Sequence, residues 1–77
     1  MNDEHLERAS ELDLFFSEAI RREREAQKLY RVALEIATDS VVREVLERIL
    51  KEEERHEVWL GETYRRYAAT LAGEQAR

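Results

Sequence analysis

Ala37-Thr38-Asp39-Ser40-Val41 divides two long stretches that share one rhythm. Before it, the positions Leu12, Phe16, Ala19, Glu23, Ala26, Tyr30, Ala33 and Ala37 recur at alternating steps of four and three. After it, Val42, Leu46, Ile49, Glu53, His56 and Leu60 keep the same steps, with Tyr64 or Tyr67 continuing them. Such steps keep one stripe of an α-helix facing a neighbour in a bundle. Asp39 or Ser40 is a good N-cap for the second helix, because a short side-chain oxygen can accept a free backbone N–H there. The segment therefore predicts an all-α fold, an antiparallel helical hairpin in a single domain spanning 1–77. Its helices are expected at about 4–37 and about 41–71, with the turn at about 38–40. Asn2 and Ser10 are alternative starts for the first helix. Gly61 weakens the second by about 1 kcal/mol relative to Ala and is a candidate bend. Gly73 is a candidate stop, with a frayed end after it.

Composition agrees with long helices. Charged residues make up 40% and hydrophobic ones 43%, with no proline and two glycines. A 77-residue chain buries little of its surface and gains from a metal or a partner. The net charge of -5 argues against a nucleic-acid partner and mildly favours cations. The absence of cysteine excludes disulfides, zinc–thiolate sites, thiol catalysis and iron–sulfur clusters. No apolar run approaches the ~20 residues that span a bilayer. The start, MNDEHLERAS, lacks the pattern of a secretory signal, so a cytoplasmic location is expected.

Three members of the two stripes are ionisable: Glu23, Glu53 and His56. Alone, Glu23 reads as a stripe-edge residue whose carboxylate reaches water, and His56 as a partly buried, hydrogen-bonded imidazole. Together they read differently. A turn centred near Asp39 lies sixteen residues after Glu23, fourteen before Glu53 and seventeen before His56. An antiparallel hairpin therefore brings all three to one level. Glu53 and His56, three apart, share a helix face and can reach one ion. A lone Glu facing a Glu-x-x-His pair is half the ligand set of a carboxylate-bridged two-metal centre. Two hairpins closing a four-helix bundle would supply four carboxylates and two imidazoles, which predicts a homodimer or a higher even oligomer. Without cations, four carboxylates in one layer would repel severely. Oxygen and imidazole donors without thiolate suit iron or manganese, with zinc or calcium as other occupants. Tyr30, two turns beyond Glu23 on the same stripe, can offer its hydroxyl to a ligand carboxylate. Glu52, Glu54 and Glu57 read as a solvated run, with Glu57 the member best placed to touch an arriving cation. Trp59, Tyr64 and Tyr67 read as packing or oligomer contacts, and His5 as exposed.

Glu23 with Tyr30 seven later, then Glu53-Glu54-Arg55-His56 thirty residues on, resembles the ferritin-like superfamily. The stretch from Ile49 to Leu60 looks especially like the E-x-x-H helix of bacterioferritins and rubrerythrins. Those proteins carry two such hairpins in one chain, so this one looks like a half-ferritin, similar to the encapsulated-ferritin-like group. The resemblance covers roughly Leu12 to Leu60. It implies a ferritin-like four-helix bundle made by two chains, metal ligands at Glu23, Glu53 and His56, and Tyr30 nearby. It implies two Fe per dimer, a larger assembly such as a decamer, and an encapsulin shell as partner and compartment. Two features depart from that group. Arg22 and Arg24 flank Glu23, where the group carries extra carboxylates, and only Gly73 to Arg77 follow the second helix pattern, too few for a docking tail.

The resemblance implies a ferroxidase that oxidises Fe(II) to Fe(III) with dioxygen, for iron storage or detoxification. A rubrerythrin-like di-metal peroxidase is one alternative, though no cysteine is present to hold the electron-donor centre such enzymes use. The other is a non-catalytic helical dimerisation module whose seam carboxylates pair with Arg22, Arg24 or Arg55.

Overall fold

The computed structural model of the protein describes residues 3–75, and the side chains of Arg8 and of 10–73 within them. Two helices make up the fold, α1 (Asp3–Ile36) and α2 (Ser40–Gln75). No strand occurs among the described residues. Helix α1 is already formed at Asp3, so Ser10 lies inside it, while Asn2 falls outside the described residues. Helix α2 continues through both Gly61 and Gly73, neither of which has a positive φ. Gly73 is therefore not the stop that the sequence suggests. The alanines, leucines and long charged residues around both glycines favour helix, and one glycine costs only about 1 kcal/mol.

The turn is held by polar contacts from both sides. The Asp39 Oδ1 accepts the Val42 N–H at 2.9 Å and caps α2. Arg43, one turn into α2, reaches back and donates to the carbonyls of Leu34 and, at 2.9 Å, Ala37. Those carbonyls end α1, where nothing inside the helix can satisfy them. A cation on them also suits the negative end of the helix dipole.

Contacts between the helices step back along α2 as they step forward along α1, so the pair is antiparallel. Phe16 meets Tyr64 and Tyr67 at ring-centroid distances of 5.5 and 6.2 Å. Arg24 meets Glu57, Arg31 meets Glu54, and Leu34 meets Arg43. Tyr64 and Tyr67 thus pack inside their own hairpin.

The hairpin is long and thin, 58 × 17 × 13 Å, with a radius of gyration of 17.6 Å. A compact domain of this length has a radius nearer ~11.5 Å. Its accessible surface is 6286 Å², against ~4,900 Å² for a compact monomer of this mass. Among the described residues no large side chain is fully buried. Two helices have one shared seam and no second layer, so every apolar side chain keeps an edge in solvent. Among the described residues no helix is long and apolar enough to cross a membrane.

Candidate metal centre

The seam places Glu23 on α1 and both Glu53 and His56 on α2, all three half-buried. One donor atom from each lies within 4.8 Å of the others. The His56 Nδ1 stands 3.7 Å from the Glu23 Oε2. That oxygen is buried and has no hydrogen-bond partner. A buried carboxylate oxygen left unpaired costs free energy that most folds avoid. Helical spacing explains the juxtaposition. Residues three apart on α2 point the same way, and the turn sets Glu23 opposite them.

The charge state of Glu23 follows from its neighbours. The Glu53 carboxyl, which can share a hydrogen bond with a protonated Glu23, raises the Glu23 pKa above the ordinary carboxylate range. Burial and Coulomb repulsion from Glu53 push the same way, and His56 opposes them. Two carboxyl groups that share a site do not ionise together readily. Among the described residues no arginine or lysine pairs with Glu23 or Glu53. Arg22 pairs instead with Glu18, and Arg24 with Glu57.

This donor set fits a divalent cation. An ion bonded at about 2.1 Å to each donor holds any two of them within about 4.2 Å. The His56–Glu23 distance of 3.7 Å meets that bound, and all three donors lie within 4.8 Å of one another, close enough for side-chain rotation to bring them onto one ion. A cation would satisfy the orphaned oxygen and remove the repulsion in one step. Tyr30, two turns further on along α1, is half-buried.

The two sides of the seam differ. One is closed by a polar ladder. The Arg24 Nε donates to the Glu57 Oε2 at 2.8 Å, and the Gln27 Nε2 donates to the Glu57 Oε1 at 2.7 Å. Arg31 donates to the Glu54 Oε2 at 3.2 Å and to the Gln27 Oε1 at 3.4 Å. Gln27 is 6% exposed, the one buried polar residue described. Both Glu57 oxygens are thus bonded to α1, and Glu57 is not one of the three clustered donors. Arg24 and Gln27 hold its carboxyl below the usual range.

The opposite side is open. Helical phase, about 100° per residue, puts Phe15, Leu29 and Ile36 of α1 and Val41, Val45 and Trp59 of α2 there. Each is at least 50% exposed. A shallow cavity of about 250 Å³ opens on this side, lined by Glu23, His56, Trp59, Leu60 and Thr63. The Trp59 ring lies 6.0 Å from the His56 ring. The three donors thus sit at the floor of a face that carries these large apolar side chains together with the Glu18–Arg22 ion pair.

Gln27 escaped the sequence reading because it stands one step off the stripe. Its signal was positional: it follows Glu23 by one turn, as Glu57 follows Glu53. Comparison of the chain with family models, with curated proteins and with solved structures finds no match.

Proposed function

We propose that the hairpin is half of a ferroxidase: two copies pair through their open faces, and their two Glu23/Glu53/His56 sets form one two-metal centre. The observation that carries this reading is the buried, unpartnered Glu23 Oε2 beside a second carboxylate and an imidazole. The site's position supports the pairing. It lies on the apolar side, and the polar ladder lies on the other. A face of 58 by 17 Å has room for the ~800 Å² per partner that a stable interface buries. A two-fold relation would set four carboxylates and two imidazoles against one another, the donor set of a di-iron carboxylate centre. The Glu53-x-x-His56 helix resembles that of ferritin-like proteins, and the proposed family is that one.

Ferrous iron is the substrate in this reading: two ions each lose one electron, and dioxygen takes both with two protons and leaves as hydrogen peroxide. The chain's own groups bind and shield. Glu53, which faces Glu23 across the seam, would hold metal together with it. Glu23 and His56 each hold one ion. Trp59, Leu60 and Thr63 line the wall beside the donors and would exclude water once the face is covered.

Anaerobic titration with ferrous iron, followed by air, tests this directly. About one iron per chain is expected, with oxidation far faster than in buffer and a dimeric or larger even mass. A Glu53→Ala chain that oxidises iron as fast as the parent would sink the proposal. The rival reading, a purely structural helical dimer, predicts an assembly indifferent to chelators.

A further inference from the structure

The seam does little to fix its own register. On α1 three of its seven stripe positions are alanine, Ala19, Ala26 and Ala33. No large side chain in the described residues is fully buried. Apolar contact is non-directional, so a smooth seam tolerates sliding and rotation. A metal centre does not. A slip of one residue turns a helical side chain by about 100° and carries Glu53 and His56 away from Glu23.

Directional bonds exist at the level of the three donors, on the reverse of the seam. Glu57 follows His56 directly and lies one turn beyond Glu53. Both of its oxygens are taken by α1, one by the Arg24 Nε at 2.8 Å and one by the Gln27 Nε2 at 2.7 Å. Arg24 follows Glu23 directly, and Gln27 lies one turn beyond it. The neighbours of the donors on both helices are therefore bonded to one another. Gln27 is almost wholly buried and also accepts from Arg31, which holds its amide in one orientation. Polar pairs across a helix seam can fix the register of packed helices; here the Gln27–Glu57 bond is part-buried and the Arg24–Glu57 pair exposed.

We infer that Glu57, with Gln27 and Arg24, is a positioning element for the metal centre: it locks α2 against α1 so that Glu53 and His56 meet Glu23 on the open face. This rests on the metal reading above. The carboxylate of Glu57 is bonded away from the donors, so it acts through helix placement and touches no ion. Removal of a group that orients metal ligands commonly costs 10–100-fold in affinity.

The test titrates manganous ion, which avoids oxidation, into the full chain by calorimetry, with helix content and oligomer mass measured on each variant. Glu57→Ala is expected to bind manganese at least ~10-fold more weakly at unchanged helix content and mass. Glu44→Ala, which removes the exposed Arg48–Glu44 pair, is expected to bind like the parent. The double exchange of Arg24→Glu with Glu57→Arg restores the cross-helix ion pair and should recover part of the affinity, while the Gln27 amide, oriented by Arg31, does not regain its bond. If Glu57→Ala loses helix content, Glu57→Gln makes the same comparison. Affinity in a folded Glu57 variant equal to the parent's, or no recovery in the double exchange, overturns the inference and leaves the metal centre standing. A parent chain that binds no manganese overturns the metal reading and this inference together.

Discussion

Glu23 carries the sharpest consequence at the scale of single residues. Its pKa is raised in the folded hairpin by Glu53 and by burial. The folded chain therefore holds this proton to higher pH than the unfolded chain does. Stability rises with pH only where the unfolded state binds more protons, and here the order is reversed. For the metal-free protein, the Glu23 contribution is thus most favourable below the ordinary carboxylate value. It is lost as pH rises from there through the raised one. Glu23→Gln should make the metal-free chain more stable than the parent near neutral pH, by a margin that shrinks on acidification. Thermal melts from pH 4 to 8 in chelator would show it, and a margin that is flat or grows in acid contradicts the assignment. Much of this site was legible in the sequence, because an ionisable residue at an apolar phase is conspicuous and three at one level leave few explanations. The role of Glu57 was not legible. Its partners lie on the other helix, and only the rotation of α2 shows which flank of the stripe it occupies.

The two helices and their turn were written plainly in the alternating steps of four and three. The point where they stop was less so. A glycine marks a helix end only when it takes up a left-handed conformation, and Gly73 does not. At the turn the chemistry is specific. Asp39 caps α2 through the Val42 N–H, while Arg43 serves the end of α1. Asp39→Ala should destabilise the hairpin by about 1 kcal/mol, the usual worth of an N-cap, as read from chemical denaturation. Asp39→Asn, which keeps the accepting oxygen, should cost little. Equal losses from both substitutions would assign the effect to charge and not to the cap.

Seen whole, the hairpin has a ladder of ion pairs on one side and large exposed apolar side chains on the other. That asymmetry was only half visible beforehand, since the stripes showed which residues meet but not which flank of each stripe lies outside. Val45 stands on the open face, 50% exposed and away from the three donors. Val45→Asp should shift the mass in solution toward the single chain and weaken metal binding without touching a ligand. An unchanged mass argues against pairing through this face. Metal at one hundred times its dissociation constant should in turn stabilise the assembly by about 2.7 kcal/mol. The height at which the donors sit has a kinetic meaning as well. Glu23 lies twenty residues inside the start of α1, and His56 nineteen before the end of α2. Helices open from their ends, and the free energy of opening grows toward the middle. Backbone amides around Glu23, Glu53 and His56 should therefore exchange with deuterium last. Fraying at either tip would come and go many times before a captured ion felt it.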